Sequence, residues 1–245
     1  MRAARAAPAD FRMAYFETYS PLSFVQPDGR MGGILVDVLG AVLNEDLGLH
    51  CLHEGFPWPR AQLRVTLGTS DAVCTIATAD RLAYAVAVDE PVVTATNTIF
   101  VRADHPQFEA LSRVKSLDEL KALNLNVLSY SANGWAREKL QGFDVTWGGD
   151  FNSALKMLVA RRGDLMVENA LTMSYTLQRT PGGEQVRMLP NRLDQANFQL
   201  LIGKRSPHVE RVASIGRALQ QFKRTPAYAD VFKRYGLSAA MRGSS

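Results

Sequence analysis

Cysteine is scarce: Cys51 and Cys74 are the only two in 245 residues. Two are too few for a disulfide scaffold and lack the close pairing of a zinc site. No window reaches the roughly 18 apolar residues that span a bilayer, so the sequence implies a soluble chain. An excess of one charge is also lacking. The 28 Lys and Arg against 24 Asp and Glu leave +4, with basic residues scattered among acidic ones, which argues against a nucleic-acid partner. No internal repeat stands out, and 47% hydrophobic with 21% charged residues is ordinary globular composition, excluding disordered, collagenous and coiled-coil chains. The length suits one large domain or two small ones. The opening residues 1–8 have no apolar core, yet Ala4-Arg5-Ala6 fits the small-x-small pattern ahead of a secretory cleavage point. They read either as the stub of a trimmed signal peptide or as an Ala-rich terminus.

What is present is an alternation of short β-rich runs with helical stretches, the pattern of βαβ units. Residues 11–16 read as strand one. Residues 17–30 hold Pro21, Pro27, Asp28 and Gly29, implying a long loop that ends in an Asp-Gly reversal. Over 36–47, Val36, Leu39, Val42, Leu43 and Leu47 recur at helical spacing, and Gly48 is a natural stop. A strand over 50–56 leads into Pro57-Trp58-Pro59, which opens a helix to about Leu67. The nearly unbroken apolar run 72–76 is that of a strand buried on both faces. The β-branched stretch 94–101 reads as a crossing between two lobes. Beyond it, Ser116-Leu-Asp-Glu119 is a capping box, and 125–129 starts a second βα series with a helix over 135–140. A strand over 144–147, a helix over 151–162 capped by Asp150, and short strands over 165–167 and 186–189 follow. Residues 197–202 make the return crossing, before helices over 209–222 and 228–235.

Two βα series joined by two crossing strands imply two lobes with a cleft, and in open α/β sheets ligands sit at the carboxyl ends of strands. The candidate contacts are therefore the residues that follow each strand. They are Glu17 and Tyr19, Trp58, the Thr75–Arg81 stretch with Ile76 and Thr78, then Ser131, Asn133 and Gly134, and finally Glu168 and Asn169. Arg81 is the strongest, because its planar guanidinium can hold a carboxylate bidentately. Pairing with Asp80, Asp89 or Glu90 is the competing role. Tyr19 and Trp58 suit an aromatic wall or core filling. Glu168 or Asn169 could equally cap the helix that begins at Ala170.

At these residues the chain resembles the family 3 extracellular solute-binding proteins, the type II periplasmic receptors that serve ABC transporters. The carriers are Tyr19-Ser-Pro-Leu-Ser-Phe24, Asp28-Gly-Arg-Met-Gly-Gly33, Val36-Asp37-Val38-Leu39 and Pro57-Trp58-Pro-Arg60, then Asp71-Ala72-Val73, Thr78-Ala-Asp-Arg81, Ser116-Leu-Asp-Glu-Leu120 and Gly163-Asp164. The resemblance implies an α/β Venus-flytrap of two lobes, residues 1–102 with 203–245 and residues 103–202. It implies that Arg81 holds a ligand carboxylate, with Tyr19 and Trp58 stacking on the ligand and the loop from Ser131 to Gly134 supplying hydrogen bonds. The expectation is a monomeric periplasmic receptor for a small carboxylate-bearing solute, an amino acid or related metabolite, delivered to a membrane permease. No cofactor, metal or catalytic residue is assigned.

Two departures bear on the ligand. Where the amino-acid receptors usually carry an Asp for the ligand ammonium, this chain has Asn169, and Ile76 stands where a supporting Thr is common. Glu168 or Glu17 could compensate. Alternatives are a cyclohexadienyl dehydratase-like enzyme on the same scaffold and a sensing module of a membrane receptor. In the family's sheet order, strand one separates the strands of Cys51 and Cys74, so two free, buried thiols are expected.

Overall fold

The computed structural model describes residues 10–131 and 133–237. The possible signal-peptide stub and Ala132 of the 131–134 loop lie outside the described residues. Two compact units divide the chain, one of residues up to 94 and from 197 onward, the other of residues 95–196.

The first unit opens with β1 (Phe11–Phe16), as its sequence predicts. Within the expected loop over 17–30, five residues pair as β2 (Thr18–Tyr19) and β3 (Ser23–Val25), which with β4 (Met31–Gly32) form a small antiparallel sheet, and the Asp28-Gly29 reversal stands between β3 and β4 with Gly29 at φ 82°. Strands of two or three residues carry no readable period, which is why the sequence does not reveal them. Gly33, at φ 121°, turns the chain into the next helix, and a Cβ there would lie 2.5 Å from the Leu22 carbonyl oxygen. α1 (Ile34–Gly40) begins two residues before the expected Val36 and continues as a π-turn over Ala41–Asp46. β5 (Cys51–Phe56) is followed by α2 (Trp58–Leu67), with Pro59 in its first turn and Gly68 left-handed at its end. β6 (Ala72–Ile76), α3 (Ala79–Tyr84) and β7 (Ala85–Ala87) complete this stretch.

β8 (Val93–Arg102) carries the chain into the second unit, which holds α4 (Phe108–Arg113), α5 (Leu117–Ala122), β9 (Val127–Tyr130), α6 (Gly134–Lys139) and β10 (Val145–Gly148). α7 (Phe151–Val159), β11 (Leu165–Asn169), α8 (Ala170–Leu177) and β12 (Val186–Met188) follow. β13 (Asp194–Gly203) returns to the first unit, which ends in α9 (Val212–Lys223) and α10 (Pro226–Arg234). The two units divide at 94/95 and 196/197, inside β8 and β13, at the stretches 94–101 and 197–202 read as crossings, whereas the resemblance implies lobe bounds at 102/103 and 202/203. The capping box is formed: Ser116 Oγ accepts from Glu119 N at 3.2 Å and Glu119 Oε2 from Lys115 N at 2.9 Å. Asp150 Oδ1 accepts from Ser153 N at 2.7 Å and so caps α7.

In the first unit the strand order is β5-β1-β6-β13, with β1 parallel to both neighbours and β13 antiparallel to β6. In the second it is β10-β9-β11-β8. Alternate residues of these strands feed opposite faces, as a period of two requires. Ile99, Val101, Leu165 and Val167 enter one core, while Phe100, Leu128 and Met166 pack against Leu155 and Leu158 of α7.

Both units repeat one tie. Asp71, just before β6, donates its N–H to the Arg12 carbonyl at 2.8 Å and accepts from Arg12 N at 2.7 Å. Asp164, just before β11, makes the same exchange with Asn126, at 3.0 and 2.7 Å. A Cβ on Gly163 would fall 2.5 Å from Leu128 Cγ, so the Gly-Asp pair of the sequence is a packing requirement. Cys51 and Cys74 are free and buried, on strands separated by β1 as expected. Phe11 is level with Cys51, whereas the β1–β6 register carries Cys74 level with Tyr15. The sulfurs are thus offset along the strands as well as across one.

Candidate functional site

The carboxyl ends of β1 and β6, the start of α2 and the middle of β13 border an open cavity of about 230 Å³ in the first unit. Its wall is aromatic. Phe16 ends β1, Trp58 opens α2, Tyr19 comes from β2, and Phe198 lies beside Ile76 across the β6–β13 ladder. Tyr19 stands 6.0 Å from Phe16 and 6.2 Å from Phe198 between ring centroids, and Phe16 stands 6.2 Å from Trp58. Leu35 and Cys74 add apolar lining. Ser23 and Thr75 add hydroxyls, that of Ser23 already donating to the Phe16 carbonyl at 2.7 Å. Burial pushes the Cys74 thiol well above its ordinary range, so it lines the cavity as a neutral group.

Arg81, in α3, is the one charged residue of this lining. Its Nη1 donates to the Ile76 carbonyl at 2.8 Å and its Nε to Gln62 Oε1 at 3.2 Å, while the guanidinium lies 5.2 Å from the Trp58 ring centroid. Among the described residues no carboxylate lies within ion-pair distance of it. Glu90, one expected partner, is paired with Lys223. Partial burial lowers the Arg81 pKa, but a guanidinium stays charged. Two of its five donors are used by these neutral groups, and the remainder suit an anion.

Of the other expected contacts in this unit, Tyr19, Trp58, Thr75 and Ile76 line the cavity. Glu17 sits half-buried in the turn after β1, outside the lining, and Thr78 is exposed ahead of α3. Sequence reasoning missed Phe16, Ser23, Leu35, Cys74 and Phe198. Phe198 needs the β6–β13 pairing, which no local pattern encodes.

The second unit gathers the remaining candidates. Asn133 Oδ1 accepts from Ala136 N at 3.0 Å and caps α6, while its Nδ2 donates to Glu168 Oε1 at 2.7 Å. Asn169 Oδ1 accepts from Leu171 N at 2.9 Å and Thr172 N at 3.3 Å, capping α8. Of the two residues considered as caps for that helix, Asn169 does it. Glu168 is buried, and loss of hydration pushes its carboxyl up to about 7 against the lowering by hydrogen bonds from the Asn169 N–H and the Asn133 amide. Ser131 is exposed, with its N–H donating to the Gly148 carbonyl at 3.1 Å, and Gly134 begins α6 with open space about it.

An α/β unit with an aromatic cavity and a carboxylate-free guanidinium, linked by two strands to a second α/β unit, has the plan of a solute-binding protein. Residues 11–238 match the bacterial extracellular solute-binding proteins, family 3, and the chain belongs to that family. No curated protein sequence matches the chain significantly. Among solved structures, an ancestral amino acid-binding protein described as a precursor of cyclohexadienyl dehydratase is similar, at TM-score 0.65 and 21% identity over 92% of this chain and 95% of that one. A substrate-binding domain assigned to an amino acid ABC transporter of Streptococcus pneumoniae gives TM-score 0.71 and 15% identity, over 92% and 99%. A histidine kinase sensor domain with similarity to periplasmic binding proteins gives TM-score 0.68 and 16% identity, over 96% and 100%. Identities this low show the shared fold, that of type II periplasmic binding proteins. Among the described residues no helix is long and apolar enough to cross a membrane.

Proposed function

We propose that this protein is a periplasmic receptor that captures a small carboxylate-bearing solute in the aromatic cavity of its first unit and delivers it to an ABC transporter permease. The observation that carries this reading is Arg81, whose guanidinium is held by the Ile76 carbonyl, Gln62 and the Trp58 ring, with no carboxylate among the described residues to neutralise it. A partly desolvated cation fixed in position by neutral groups is an anion anchor. Thermal-shift measurement against amino acids, keto acids, dicarboxylates and aromatic acids tests it, since a ligand of the folded state raises the melting temperature by mass action. A carboxylate that does so should lose on the order of 2–5 kcal/mol of binding on Arg81→Ala. Unchanged affinity would contradict the anchor.

The likeness to a histidine kinase sensor domain supports a second reading, in which the same cavity reports a solute instead of handing it to a permease. Solute uptake by cells lacking the protein separates the two. The enzymatic alternative is tested with prephenate. The cavity lining offers hydroxyls, a thiol and a guanidinium where a dehydratase needs a positioned proton donor, so binding without turnover is the expected result.

A further inference from the structure

We infer that the solute is a small aromatic carboxylic acid whose binding requires no ammonium or other positive charge. The inference rests on the solute-binding reading above and narrows its ligand class. A carboxylate seated on Arg81 sits beside Trp58, which is 5.2 Å from the guanidinium, and its carbon skeleton then meets the rings of Phe16, Tyr19 and Phe198. Phe16 and Tyr19 meet at 33° and Tyr19 and Phe198 at 48°, tilted contacts of a kind that a further aromatic ring also favours. Ile76 on the same wall is 42% exposed, hydrocarbon that an apolar ligand covers.

Among the described residues no carboxylate lines this cavity. A buried ammonium is best met by a carboxylate, whereas the one charged group of this lining, Arg81, repels positive charge.

Calorimetric titration of the whole protein with benzoate, phenylpyruvate, cyclohexanecarboxylate, benzamide, L-phenylalanine, L-arginine and L-glutamate tests this. Benzoate or phenylpyruvate should bind at least tenfold more tightly than the three amino acids and than uncharged benzamide. Phe198→Leu, which keeps apolar volume but removes the ring, should weaken the aromatic acid at least threefold and leave cyclohexanecarboxylate little changed. Ile76→Asp, at an exposed position that tolerates the change, should weaken every acid at least tenfold by neutralising Arg81 from within the cavity. Preference for arginine, glutamate or phenylalanine would overturn the inference while leaving solute capture standing. Equal binding of benzamide, acid affinity unmoved by Ile76→Asp, or failure of both benzoate and phenylpyruvate to bind would also overturn it, and solute capture would then rest on the wider thermal-shift screen.

Discussion

Arg81 shows how far a single position can be argued. Its place a few residues beyond an apolar strand, in Thr78-Ala-Asp-Arg81, marks it as an anchor from sequence alone, with Asp80, Asp89 and Glu90 as rival partners. In the structure it engages a carbonyl, an amide and an indole face instead. Trp58 carries this arrangement, and because it is half-buried, Trp58→Ala should cost ligand affinity about 1–2 kcal/mol while moving the melting temperature by only a few degrees. A collapse of the melting temperature would make Trp58 core. Glu168 makes a separate prediction. Its carboxyl titrates near 7 when folded and near the usual carboxylate range when unfolded, so the folded state holds the extra proton between these values. Stability from this group is therefore full at acid pH and is lost as pH rises through about 7, on the order of 3 kcal/mol in all. Glu168→Gln should flatten that part of the stability–pH profile and raise the melting temperature at pH 8 relative to pH 5. A parallel profile for the two proteins would refute it.

At the scale of elements, the sequence speaks clearly where period and punctuation coincide. β1, α2 and β6 fall where apolar pattern, Pro59 and Gly68 put them, and the caps at Ser116 and Asp150 form as their spacing requires. It is silent where strands are too short to have a period, as in β2 to β4, and where a contact depends on strands far apart in the chain. Phe198 meets the cavity only because β13 pairs with β6. Asn169 shows the converse, a residue that family likeness offers to the ligand and local chemistry gives to a helix. Asn169→Ala should therefore lower stability by about 1 kcal/mol through loss of the α8 cap, and Asn169→Asp should retain it. Urea unfolding at neutral pH reads the difference; equal loss in both variants would argue against the cap.

At the scale of the whole molecule, two α/β units built on one plan are each tied by an Asp that clamps the start of its leading strand. Covalent cross-links take no part. Burial pushes the Cys51 thiol up to about 12 and that of Cys74 higher still, so both should resist a thiol reagent at pH 8 in the folded protein and react fully in denaturant. Reductant should leave the melting temperature unchanged, and a shift would contradict the free-thiol assignment. The central claim is that one guanidinium in an aromatic cavity captures a carboxylate. Calorimetric titration of the wild-type protein and of Arg81→Ala, with the best-binding acid and with its amide, tests that claim most directly. The account predicts tight binding only for acid with wild type, and a loss of at least thirtyfold on removing either charge; equal affinity in all four titrations would contradict it.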